Sequence, residues 1–322
     1  MKQSFNRWIL LLLVLLAITF FASLWIGEVR EWNPIVVFHI RLPRALLGLI
    51  VGSALATAGD VYQGLLRNPL ADPYILGTSS AGTFGALVAT ILNFHFQYTL
   101  YIFSIGASFA SMMLVYKIAT THGRTPIQTL ILAGVISSTF FSALVLLLFT
   151  LFRRESFSVL FFMLGSLSIA GTGWSILISG VLVLFGLLIA TFYARDLDAM
   201  SGGEEDAMHL GIKVETTKQI LFFASSLLVG ASVALAGSIG FVGLIIPHIL
   251  RLLVGPSHRK LILASAVGGA FFLMLMDILS RTLFSPVEIP VGVFTSLCGA
   301  PFFIFLLKRN QKDLVQCHDS HE

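Results

Sequence analysis

Residues 51–69 read VGSALATAGDVYQGLLRNP, and the first nine of them return at 229–237 as VGASVALAG. The two nine-residue stretches agree at five of nine positions with an offset of 178, and at the same offset Pro69 falls on Pro247 and Gly77 on Gly255. Small residues at Gly52, Ala56 and Gly59, and again at Gly230, Ala234 and Gly237, recur at spacings of three and four. That spacing puts them on one side of a helix and lets helix backbones approach closely, as contacts inside a membrane require. Together the two stretches predict one structural unit used twice.

The surroundings decide the medium. Of 322 residues 57% are hydrophobic and 11% charged, and mean hydropathy is +0.92, whereas soluble domains carry roughly 25% charged residues. Several apolar runs reach the roughly 20 residues that a helix needs to cross ~30 Å of hydrocarbon, and a helix satisfies its own backbone hydrogen bonds there. The sequence therefore predicts an all-α integral membrane protein, a single transmembrane domain over 1–322. About ten crossings are expected, at roughly 8–26, 41–64, 74–93, 98–118, 127–150, 174–193, 217–237, 240–253, 260–281 and 291–307. Lys2 and Arg7 precede the first run as in a signal peptide, but that run is longer than a hydrophobic signal core of about 7 to 15 residues, so it reads as a retained helix.

Charge sets the orientation. With the N-terminus inside, 14 of the 20 Lys and Arg fall on cytoplasmic segments and six, namely Arg30, Arg41, Arg44, Arg153, Arg154 and Arg281, fall outside, as the positive-inside rule demands. Both termini are then cytoplasmic. The second and seventh crossings run in opposite directions, which makes the unit an inverted repeat of helices 2–5 and 7–10, an arrangement many transporters use.

Three stretches narrow the class: RLPRALLGLIVGSALATAGDVYQGLLRNPLADPYILGTSSAG at 41–82, GEEDAMHLG at 203–211 and GSIGFVGLIIPHILR at 237–251. With the later MDILSR, EIPVGVFTSLCGAPFF and LLKR, they resemble FecCD-type permeases, the ABC importer subunits for iron-siderophore complexes, haem and vitamin B12. The resemblance runs from about Arg41 to Arg309. It implies a ten-helix permease that works as a homodimer or pseudo-symmetric heterodimer in a bacterial or archaeal cytoplasmic membrane, with alternating access at the dimer interface. It also implies two copies of an ABC ATPase subunit and an external substrate-binding protein as partners. The chain has no GxxxxGK[ST] phosphate loop, so it is not expected to be an enzyme, and hydrolysis would come from the ATPase. No catalytic residue, cofactor, metal site or nucleic-acid partner is expected.

The resemblance also assigns roles. GExxAxxLG places Gly203, Glu204, Ala207, Leu210 and Gly211 in a cytoplasmic helix that couples to the ATPase. Ala207 and Leu210, three apart, are expected on one face pressed into an ATPase groove, while the acids favour the helix N-terminus. Arg41, Arg44 and Arg281 are expected to dock the binding protein, although Arg281 follows Asp277 by four residues and the two can pair along one helix. Asn68, Pro69 and Leu70 form the expected cytoplasmic gate. Ile136, Phe140, Val293 and Phe294 are the expected pathway lining, an apolar wall that suits bulky chelates and leaves siderophore, haem and cobalamin all open.

Other polar groups read as structural. Asp60 and His248 lie near cytoplasmic helix ends, where a hydrogen bond is the expected role. The tail HDSHE, with His318, His321 and Glu322, reads as a short polar terminus. Cys298 and Cys317 form no disulfide or metal spacing. An ion-gradient-driven secondary transporter, coupled at Asp60 or Asp277, also suits an inverted repeat, but such a carrier needs no ATPase-docking helix.

Overall fold

The computed structural model describes residues 2–27, 33–92, 98–152, 162–168 and 173–304, which form helices and no strand among the described residues. Arg30, Arg153, Arg154, Cys317 and the tail lie outside them. Twelve helices carry the argument. They are α1 (Lys2–Trp25), α2 (Leu42–Leu65), α3 (Thr78–Ile91), α4 (Thr99–Ala119), α5 (Ile127–Leu151) and α6 (Gly173–Phe192); then α7 (Ala194–Gly202), α8 (Glu204–His209), α9 (Val214–Ala236), α10 (Val242–Val254) and α11 (His258–Thr282); and α12 (Val291–Ile304). Seven, with α2 extended back to Pro34, are long and apolar enough to cross a membrane, while α3, α10 and α12 are shorter.

At the centre stand α2, α9 and α11. Every residue from Ala54 to Leu65 is buried, and a helix buried all round belongs inside a bundle. Glycine permits the crowding. A Cβ on Gly52 would overlap the Gly269 backbone of α11, and one on Gly59 would overlap Gly243 of α10. Around this centre α1, α5 and α6 turn mostly outward.

Both shorter helices α3 and α10 begin inside the bundle, after non-helical segments. Gly134, the eighth of the 25 residues of α5, packs on the Ile75 carbonyl, and Gly77 caps α3 in the left-handed conformation, with φ 72°. The chain from Gly237 to Phe241 is likewise non-helical before α10 starts. The hydroxyl of Tyr74 joins the two breaks, donating to the Ile239 carbonyl and accepting from its N–H, each at 3.1 Å.

The coincidence of Pro69 with Pro247 does not survive folding. Pro69 lies in a turn beyond α2, whereas Pro247 lies inside α10; Gly77 caps a helix start and Gly255 a helix end. The cause is length. α2 continues to Leu65, whereas α9 ends at Ala236, so the two similar stretches part in structure after Gly59 and Gly237.

Candidate translocation and coupling sites

The two ends of α2, 24 residues and so roughly 36 Å apart, carry two different charge clusters. At its start Arg44 Nε meets Asp277 Oδ1 at 2.7 Å and Arg44 Nη1 meets Glu288 Oε1 at 2.8 Å. Arg281 sits 3.5 Å from Asp277 and donates to the Ser23 carbonyl, and Arg41 donates to the Leu24 and Trp25 carbonyls. Three guanidinium groups and two carboxylates leave a net charge of +1. Glu288 also accepts from the Ser168 hydroxyl. Burial pushes its pKa up, but the Ser168 hydrogen bond and the charges of Arg44 and Arg281 outweigh this and hold it below the usual glutamate value.

The expectation that Arg41, Arg44 and Arg281 are presented to a binding protein needs correction. All three are buried, at 5 to 7% exposure, and because an uncompensated buried charge is costly each is turned onto acceptors of its own chain. The pairing of Asp277 with Arg281 along one helix is present.

At the other end of α2 the helix closes with a reciprocal pair of bonds, Asn68 N–H to the Gln63 carbonyl and Arg67 N–H to the Gly64 carbonyl, the Schellman arrangement. Its left-handed position, normally glycine, is held by Arg67 with φ 48°. Asn68 Oδ1 accepts from the Leu70 N–H, and Ala71 N–H donates to the Asn68 carbonyl, so residues 67–71 form one tight turn around exposed Pro69.

Beside that turn lies α8, whose sequence was legible but whose orientation was not. Ala207 is fully buried against this chain, whereas Leu210 is 73% and Met208 49% exposed. The expected outward pair of Ala207 and Leu210 is therefore wrong. A helix of only six residues leans on its own protein through its smallest residue and shows its large apolar ones. Gly211 takes φ 83° to let the chain leave.

Glu204 also faces inward. Its Oε2 accepts from Lys218 Nζ at 2.8 Å, and Lys218 further donates to Glu215 at 3.1 Å and to the Thr125 carbonyl at 3.2 Å. Three donors on three acceptors satisfy the ammonium, although its side chain is only 4% exposed. Arg67 reaches both α7 and α8, donating from Nε to the Met200 carbonyl at 3.0 Å and approaching Glu204 at 3.8 Å. Sequence reasoning missed Lys218; a lysine three residues after Glu215 and two before the apolar run that opens at Ile220 was the available signal.

Asp60 is fully buried and held by His258 at 3.1 Å and Arg251 at 3.3 Å, and His258 N–H donates to Asp198. The hydrogen-bonding role expected of Asp60 is observed. His248 Nδ1 is buried without a partner among the described residues.

Between the two charged ends, where the breaks before α3 and α10 meet, opens a cavity of about 600 Å³ lined by Tyr74, Ser79, Ser80, Ser238, Val293 and Ser296 among others. Its wall is mostly apolar, with Met163, Leu164, Val293 and Leu297, and five hydroxyls are set into it. Val293 lies on it; Ile136 and Phe140 are exposed on the outer face of α5, at 61% and 57%. Phe294 is buried at 7% and packs on Phe284, so its expected place on the pathway wall is corrected to the core, since adjacent residues of α12 point to different sides.

A sequence profile of the FecCD transport family matches residues 8–309. The chain belongs to the FecCD transport family. Among relatives, the ABC transporter permease protein YvrB of Bacillus subtilis is 43% identical over 294 residues, covering 89% of this chain and 83% of the relative. The cobalamin import system permease protein BtuC of Halobacterium salinarum is 40% identical over 294 residues, covering 91% and 78%. A solved structure described as an inward-facing conformation of a metal-chelate type ABC transporter superposes with a TM-score of 0.86 at 36% identity, covering 94% of this chain and 99% of that one.

Proposed function

We propose that this chain is the membrane permease of an ATP-driven importer, taking a bulky metal chelate, a ferric siderophore, haem or cobalamin, across a bacterial or archaeal cytoplasmic membrane. Two permease copies, a homodimer in the simplest case, face each other across α5 and α12, where exposed Ile136, Phe140 and Leu297 and the cavity with Val293 flank the path. Asn68, Pro69 and Leu70 form its cytoplasmic gate. Two separate ATPase subunits seat on α8, with Leu210 and Met208 as the contact and Gly203, Glu204, Ala207 and Gly211 building the helix that presents them. A substrate-binding protein meets the opposite end, where buried Arg41, Arg44 and Arg281 shape the surface and its residual positive charge rather than supply free side chains.

Ten crossings follow if α3, α10 and α12 complete the seven long spans. An inverted repeat is supported by partner exchange: swapping α2, α3 and α4 for α9, α10 and α11 turns each packed pair α2 with α11, α2 with α10 and α3 with α4 into another packed pair. Phe5, beside Lys260, is at the α8 end of the bundle, in keeping with a cytoplasmic N-terminus. The gradient-driven alternative loses its coupling groups, because Asp60 and Asp277 are each held by arginine, and the relatives named above are ABC permeases.

The observation that carries the reading is the exposed apolar pair Met208 and Leu210 on a short charged helix within a chain of this family. Buried interface anchors cost about 2 kcal/mol or more when lost, roughly 30-fold in affinity. Leu210→Asp should leave the permease folded in the membrane while its ATPase no longer co-purifies. Full recovery of the ATPase with this variant would refute the assignment.

A further inference from the structure

Arg67 is out of place for its backbone and well placed for its side chain. It occupies the left-handed position that ends α2, with φ 48°, where glycine fits without strain. Its guanidinium bridges a joint. Nε donates to the carbonyl of Met200, in the last turn of α7, while Nη2 lies 3.8 Å from Glu204, the first residue of α8. Between those two contact points run Gly202 and Gly203, where the helix breaks and a side chain on Gly202 would meet nothing.

The anchor on α7 is firm, since Met200 is 2% exposed. The turn behind Arg67 is tied by the bonds of Asn68 to Gln63, Leu70 and Ala71, so displacing Arg67 displaces Leu70. A change in the angle between α8 and α7 must alter the distance between Met200 O and Glu204, and Arg67 holds both.

We propose that Arg67 is the strut that carries movement of the ATPase-docking helix into the gate turn at 68–70. It is a positioning residue acting through Glu204 on one side and Asn68 on the other. The proposal rests on the reading of α8 as the ATPase seat. It also explains why an arginine stands where the backbone favours glycine.

Glycine is therefore the sharpest test, because Arg67→Gly suits the backbone and deletes only the strut. The permease is purified with its ATPase in proteoliposomes, with Cys298 and Cys317 replaced by serine and a nitroxide on Leu70→Cys, and label mobility is followed on adding Mg-ATP and vanadate. With Arg67 the label should respond. With Arg67→Gly the ATPase should still co-purify and hydrolyse ATP, but the response should shrink about fivefold or more, the lower range of allosteric coupling. An undiminished response in Arg67→Gly would reduce Arg67 to a helix cap and overturn the proposal; so would loss of the ATPase from that variant, which would make Arg67 part of the seat itself. If even the Arg67 protein neither retains the ATPase nor responds, the reading of α8 fails and takes the strut with it.

Discussion

Lys218 shows how much of the coupling end depends on a single side chain. Its ammonium has acceptors on α8, on α9 and in the loop just before α5, through Glu204, Glu215 and Thr125. Lys218→Met keeps the volume but leaves Glu215 without a cation and Glu204 with only Arg67 at 3.8 Å, the two carboxylates each about a third exposed. The cost should be about 1–3 kcal/mol, the penalty for groups left unpaired, seen as earlier thermal unfolding in detergent. Lys218→Arg should recover part of it; an unshifted transition for Lys218→Met would mean that solvent already screens the pair. Types and spacings at this scale could be read from sequence, including Asp60 as a hydrogen-bonded residue and Asp277 beside Arg281. Directions could not. Whether Arg44 faces water or Asp277 depends on a contact 233 residues away along the chain, which no local pattern encodes.

The short helix α8 carries the same lesson with a sharper consequence. GExxAxxLG identified the element and its boundaries, but side-chain spacing alone cannot say which side of a six-residue helix meets its own protein. Ala207, fully buried, is the side that sits down. Ala207→Trp should therefore lift α8 off the chain and expose Glu204 and Lys218 to proteolysis from the cytoplasmic side, with loss of the ATPase as a secondary effect. Limited proteolysis of membrane vesicles distinguishes this from a wedge acting only at the partner surface, which would leave the cleavage pattern unchanged. The breaks before α3 and α10 were only half legible. The short crossing at 240–253 was expected from its length, but the segment at 74–93 read as one helix, because Tyr74, Ile75 and Leu76 are as apolar as the helix that follows Gly77.

For the whole molecule, the long spans and the family motifs were plain in the sequence, since composition and run length report directly on lipid. Orientation makes a testable statement about the bundle. Thr121 lies at the α8 end, near Thr125 and Glu215, and Val287 at the Arg44 end, beside Glu288. In a background with Cys298 and Cys317 replaced by serine, a cysteine at Val287 should react with a membrane-impermeant maleimide added to intact cells, and one at Thr121 only after the membrane is opened. Equal labelling of both in intact cells would invert or collapse the proposed topology. The phenol of Tyr74, bonded at once to the N–H and carbonyl of Ile239, bears on what the bundle keeps out. A carrier wide enough for a large solute must not become a wire for protons, and a water file forms where peptide groups at mid-depth lack partners. Removing that oxygen with Tyr74→Phe leaves both groups of Ile239 to recruit water. Vesicles carrying the variant should lose an imposed pH gradient faster than wild-type vesicles with no substrate or ATP present; an unchanged rate would leave that hydroxyl a tie between two breaks and no seal against leakage.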